Sequence, residues 1–114
     1  MTTVELAGLT LHVADVERSL AFYRRLPGAT VLFHMPERFA LLKLGTNRLG
    51  LLADSKRQFH VELEVPDLDA AAATLRELDI EADGPTTRQW GERDILVNDP
   101  DGYLLEFAAA RRPD

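Results

Sequence analysis

From Gly8 to Leu26 the chain changes its rhythm once. Apolar and polar positions first alternate singly, then recur every three to four residues. Alternation places Leu9, Leu11 and Val13 on one face of a strand and Gly8, Thr10 and His12 on the other. Asp15 then stands in N-cap position before Val16, Leu20, Tyr23 and Leu26, the apolar stripe of a helix. The same grammar returns at an offset of 52 residues. Val61, Leu63 and Val65 alternate with His60, Glu62 and Glu64, and Asp67 precedes the stripe Leu68, Ala71, Ala72, Leu75 and Leu78. Leu11/Leu63, Val13/Val65, Asp15/Asp67, Ala21/Ala73, Arg24/Arg76 and Leu26/Leu78 are identical across the offset, which predicts an internal repeat.

Short apolar runs follow each helix. "ATVLFHM", "FALLKLG" and "RLGLLAD" are separated by "PER" and "TN", the pattern of a three-strand meander. The second half offers "IEADGPTTRQ", a poor strand broken by Gly84-Pro85, then "ERDILVN" and "YLLEFAAA". Asp99-Pro100-Asp101-Gly102 between the last two is turn chemistry. The predicted fold is α+β: two βαβββ modules, about residues 4–54 and 57–110, in a single domain spanning 1–114. They are expected to form a curved, mixed eight-stranded sheet, a cup with helices on its outer face. Its inner face would carry Gly8, Thr10, His12 and Gly50 from one half and His60, Glu62, Glu64 and Glu106 from the other.

Composition then removes several classes of function. Of 114 residues none is cysteine, which excludes disulfides, thiolate metal sites and cysteine nucleophiles. A net charge of −6 with scattered basic residues argues against nucleic acid as a partner. No apolar run approaches a membrane span, the first residues carry no basic targeting region, and a reducing cytoplasm is the expected location. Ser19 and Ser55 have no histidine base in the pattern, and glycine-rich phosphate loops are absent.

"HVADVERSLAFYRRLPGA" (12–29) and "WGERDILVNDPDGYLLEF" (90–107), set in a repeated βαβββ, resemble the vicinal-oxygen-chelate superfamily. That group contains glyoxalase I, extradiol dioxygenases, fosfomycin-resistance enzymes and bleomycin-resistance proteins. The resemblance implies that the glutamate of the last strand, Glu106, is a metal ligand. A histidine seven residues before the capping Asp, here His60 before Asp67, is a second. An imidazole beside a carboxylate suits Fe, Mn, Ni or Zn. The first half departs from the family's pattern. Gly8 stands seven residues before Asp15, and Gly50 falls where glyoxalase I has its first-half glutamate, so this is not a four-ligand glyoxalase I site. His12 lies four residues from Gly8, roughly 13 Å along a strand, and is no direct replacement. His34 reads as a polar strand residue.

The two glycines predict room on the cup floor. Glu62, Glu64 and Glu106 give the cup a negative potential, and Trp90 is either a stacking face at its rim or a plug under the 84–92 loop. The leading expectation is a binder of a bulky small molecule, of bleomycin-resistance type, with an incomplete metal site. The alternative is a metal-dependent lyase, isomerase or dioxygenase acting on a vicinal-oxygen substrate, with His60 and Glu106 as ligands and Glu62 moving a proton. A third is an accessory protein with no ligand of its own. Open sheet edges predict a homodimer.

Overall fold

The computed structural model describes residues 3–56, 58–100 and 102–109. In chain order the elements are β1 (Glu5–Val13), α1 (Val16–Tyr23), β2 (Thr30–Met35), β3 (Phe39–Leu44), β4 (Asn47–Ala53), β5 (Phe59–Val65), α2 (Leu68–Glu77), β6 (Asp83–Thr87), β7 (Arg93–Asn98) and β8 (Leu104–Ala109). The fold is α+β, and the order is βαβββ twice. Two compact units result: Gly8–His60, and Val61 onward together with the start of β1 up to Ala7.

In the first unit the strand order is β2-β3-β4-β1. The meander β2-β3-β4 is antiparallel and β1 joins β4 in parallel, so the sheet is mixed. Helix α1 lies on β3 and β4. Val16, Leu20, Ala40, Leu42 and Leu51 form the core, with Leu11, Val13 and Tyr23 packed against it. Asp15 caps α1 from extended dihedrals (φ −141, ψ 101), its carboxylate accepting from the Arg18 N–H at 3.0 Å. Such a cap contributes about 1 kcal/mol. The helix ends at Tyr23, so Leu26, expected in the stripe, is 39% exposed.

The second unit repeats these choices. Asp67 caps α2 with φ −143 and ψ 114, accepting from the Ala70 N–H at 3.1 Å. Leu78, the counterpart of Leu26, falls at the helix C-cap and is 63% exposed. The strand order is β5-β8-β7-β6. Val65, Leu68, Ala71, Leu75, Ile95, Val97 and Phe107 make its core, with Leu63 and Leu105 against them. Residue 84 was expected to break the strand, yet β6 runs through Gly84-Pro85 with a register shift between Asp83 and Thr86. It is an edge strand, where a missing proline N–H needs no partner.

The turn before β8 forms as its residues predict. Asp99 accepts from the Gly102 N–H through its carbonyl at 2.9 Å and from the Tyr103 N–H through its side chain at 2.8 Å. Gly102 supplies a positive φ of 89. Asp101 lies outside the described residues. Beyond the turn, Leu105 and Phe107 go to the core, which leaves Glu106 on the opposite face of β8.

Candidate functional site

Within Gly8–His60 the face of β1 turned from the core carries Thr10 and His12, both buried, at 1% and 7% exposure. Thr10 is in register with Gly50 on β4, and a Cβ at Gly50 would run into the Thr10 hydroxyl. The glycine therefore makes room for Thr10, where the sequence suggested an open floor. Gly8 has φ +155, and a Cβ there would meet the Arg48 carbonyl. The backbone at the family's first-half histidine position leaves no space for any side chain.

His12 sits between two partners. Its Nδ1 lies 2.8 Å from Asp54 Oδ2, and its Nε2 lies 2.9 Å from His60 Nδ1. The rings of His12 and His60 meet edge to face at 84°. His60 is itself only 4% exposed. The Gln58 amide nitrogen stands 3.1 Å from His12 Nδ1 and 3.4 Å from Asp54 Oδ2, and the Lys56 N–H donates to Asp54 Oδ1 at 3.1 Å. Hydrogen bonding from His12, then from that backbone N–H, holds the Asp54 carboxyl below the usual carboxylate range. Asp54 and Gln58 were not legible as site residues. They sit in a polar loop, and only the parallel pairing of β1 with β4 brings that loop to His12.

Within the second unit, alternation along β5 puts Glu62 and Glu64 on the face opposite Leu63 and Val65, the same parity as His60. Glu62 and Glu106 meet. Burial first, then the charge and hydrogen bond of Glu62, then the charges of Asp94 and Glu92, push the Glu106 carboxyl from 4.5 up to about 11. At neutral pH Glu106 therefore carries a proton and donates it to Glu62.

Asp94 is a fully buried carboxylate, 1% exposed. Arg88 grips it with both arms, Nε to Oδ2 at 2.7 Å and Nη2 to Oδ1 at 2.6 Å. Glu92, Asp94 and Glu106 each bring an oxygen within 4.8 Å of the others. Both oxygens of Asp94 are engaged by Arg88, so within this cluster the Asp94 carboxylate has its own counter-charge. The parity of "RDILV" does give Asp94 away, since Ile95 and Val97 face the core. Trp90 is half-buried on the turn closed by Arg88 N–H to Glu92 O at 2.7 Å and Gly91 N–H to Arg88 O at 2.9 Å. His34 is occupied elsewhere, 2.8 Å from Glu17.

The first unit offers an oriented imidazole; the second offers a carboxyl pair that holds a proton and a fixed cation. No helix among the described residues is long and apolar enough to cross a membrane.

Solved structures share this fold. A methylmalonyl-CoA epimerase from Streptomyces coelicolor, in complex with 2-nitronate-propionyl-CoA, is similar with TM-score 0.75 at 22% identity, over 94% of this chain and 97% of that one. A hypothetical protein from Bacillus halodurans C-125 reaches TM-score 0.78 at 16% identity, over 98% of each chain. An NAD-dependent benzaldehyde dehydrogenase from Legionella pneumophila gives 0.71 at 20% identity, over 90% of this chain and 97% of that one. No curated protein matches. The family model described as Glyoxalase/Bleomycin resistance protein/Dioxygenase superfamily matches residues 5–107, and the chain belongs to that superfamily.

Proposed function

We propose that this protein is a divalent-metal-dependent enzyme, an isomerase or lyase that relocates a proton on a small molecule with vicinal oxygens. His60 and Glu106 are the protein ligands and Glu62 the proton carrier. The observation that carries this reading is the half-buried Glu62–Glu106 carboxyl pair, in which the Glu106 carboxyl is pushed well above the usual carboxylate range. Glu106 is ringed by the like charges of Glu62, Asp94 and Glu92, so a cation placed against it relieves the repulsion that a proton now relieves. His60 stands two residues before Glu62 on the same face of β5 and adds a nitrogen donor. The donor set of imidazole and carboxylate suits Zn²⁺, Fe²⁺, Mn²⁺ or Ni²⁺.

The ion would act as a Lewis acid toward a substrate carbonyl or enolate oxygen. Glu62, accepting from Glu106 in the resting protein, takes a proton from a carbon next to that oxygen and returns it. Arg88 stays on Asp94 and keeps that carboxylate compensated while charge moves at Glu106. An epimerase among the structures of the same fold supports proton relocation without fixing the substrate.

The second reading, a bleomycin-resistance-type binder of a bulky cationic or aromatic molecule, is favoured by the glycines at positions 8 and 50, which take two ligands from the family's fullest site. Calorimetry with Ni²⁺, Mn²⁺, Fe²⁺ and Zn²⁺ on the parent protein and on Glu106→Ala separates the two. Tight one-to-one binding lost in Glu106→Ala supports the enzyme; absence of binding by all four ions leaves the binder.

The absence of cysteine is consistent with the cytoplasm, the location we propose. We also propose a homodimer, supported by the exposed Phe22, Leu32 and Phe33. Sedimentation showing only a 12.7 kDa species at micromolar concentration would remove that assembly.

A further inference from the structure

We infer that Asp54 and His12 form a relay that fixes His60 in its Nδ1–H tautomer, making Nε2 the basic nitrogen that His60 presents. Both are positioning residues. The functional weight of the relay rests on His60 being a ligand, as proposed above, while the tautomer itself does not.

The relay follows from where protons must lie. Asp54 Oδ2 and His12 Nδ1 are 2.8 Å apart, and two lone pairs do not face each other at that distance. One atom carries the proton, and the imidazole is the weaker acid, so His12 Nδ1–H donates to the carboxylate. The Gln58 amide, 3.1 Å from the same nitrogen, then has Asp54 Oδ2 as its acceptor at 3.4 Å. In the neutral ring Nε2 of His12 is now an acceptor. His60 Nδ1 lies 2.9 Å from it and must donate. The lone pair of His60 is thereby placed on Nε2.

The backbone holds this geometry from both sides. His12 N–H donates to the Gln58 carbonyl at 2.9 Å, and Asp54 N–H donates to the Val13 carbonyl at 3.0 Å. The loop carrying Asp54 and Gln58 is thus tied to β1 on either side of the His12 ring. Both imidazoles are almost fully buried, so bulk water does not compete for their nitrogens. A carboxylate behind a histidine is the usual outer support of a metal ligand, and its removal typically costs about 10–100-fold in metal affinity. Here the support acts through a second histidine. That histidine comes from the half of the repeat whose own ligand position is Gly8.

The test is a long-range ¹H–¹⁵N correlation spectrum of the metal-free protein at neutral pH, with Ni²⁺ calorimetry on the parent, Asp54→Asn and Asp54→Glu. His60 is expected in the Nδ1–H form in the parent. Asp54→Asn, folded by circular dichroism, is expected to show a mixture of His60 tautomers and Ni²⁺ affinity lower by about 10–100-fold. Asp54→Glu should recover part of both. A parent His60 in the Nε2–H form, or doubly protonated, overturns the relay. So does an Asp54→Asn protein whose His60 tautomer is unchanged, or whose Ni²⁺ affinity stays within about twofold of the parent. Should the parent bind no Ni²⁺ while His60 remains Nδ1–H and shifts in Asp54→Asn, the relay stands and the metal reading falls.

Discussion

Glu106 and Glu62 are joined carboxyl to carboxyl, by a hydrogen bond that exists only while Glu106 keeps its proton. Folding therefore takes up a proton at Glu106. Its carboxyl rises from 4.5 to about 11 on folding, so the proton-bound form favours the native state. This contribution is present in full below the unfolded value and is lost as pH climbs toward the folded one. Stability of the metal-free protein should fall across neutral and mildly alkaline pH, with a ceiling near 1.4 kcal/mol per pH unit. Glu106→Gln should flatten that slope. Urea unfolding of both proteins at about pH 6 and pH 9 checks it, and parallel slopes would sink the assignment.

The same proton must leave when a cation takes its place. Metal affinity is expected to rise with pH, by up to about tenfold per unit. Binding heat should change with the ionisation enthalpy of the buffer. Heat that is the same in phosphate and Tris would mean that Glu106 gives up no proton to the ion.

Arg88→Ala removes the guanidinium that engages both oxygens of Asp94, a side chain 1% exposed. Stranding a buried carboxylate costs about 3–5 kcal/mol. Arg88→Lys, a point charge without the two-armed grip, should recover a fraction of the loss. Thermal and urea denaturation measure it; a loss under about 0.5 kcal/mol, the range of ordinary surface changes, would show that the pair is not structural.

Gly50→Ala should destabilise by about 1–3 kcal/mol, because its methyl group meets the Thr10 hydroxyl in a packed layer. Thr10→Ala in that background is expected to relieve part of the strain. The double-mutant cycle should therefore be non-additive, whereas additive losses would place the strain elsewhere.

How much of this was legible depended on whether the signal was local. Asp15 and Asp67 announce their helices because a cap and its first turn are contiguous, and their dihedrals agree to within 13° in ψ. Parity along β5 assigns Glu62 and Glu64 to one face for the same reason. Leu26 and Leu78 misled, because a periodic leucine carries no mark of where the helix stops. The glycines misled differently. Gly8 and Gly50 look like absent side chains in the sequence, but each makes room for an atom of another strand, the Arg48 carbonyl and the Thr10 hydroxyl. Asp54 and Arg88 escaped notice because what matters is their partner. His12 lies 42 residues from Asp54, a separation that only the strand pairing closes.

If the proposed metal chemistry holds, the carboxylate face of the second unit also sets an order of events. Glu62, Glu92 and Asp94 place like charges around a protonated Glu106, and the Arg88 guanidinium is already committed to Asp94. An anionic substrate arriving first meets repulsion with no uncommitted positive charge from Arg88 to answer it. A cation arriving first displaces the proton of Glu106 and reverses the local field. For the metal-dependent enzyme proposed above, the expected steady-state pattern is ordered addition, ion before substrate, with substrate affinity governed by how fully the ion is loaded.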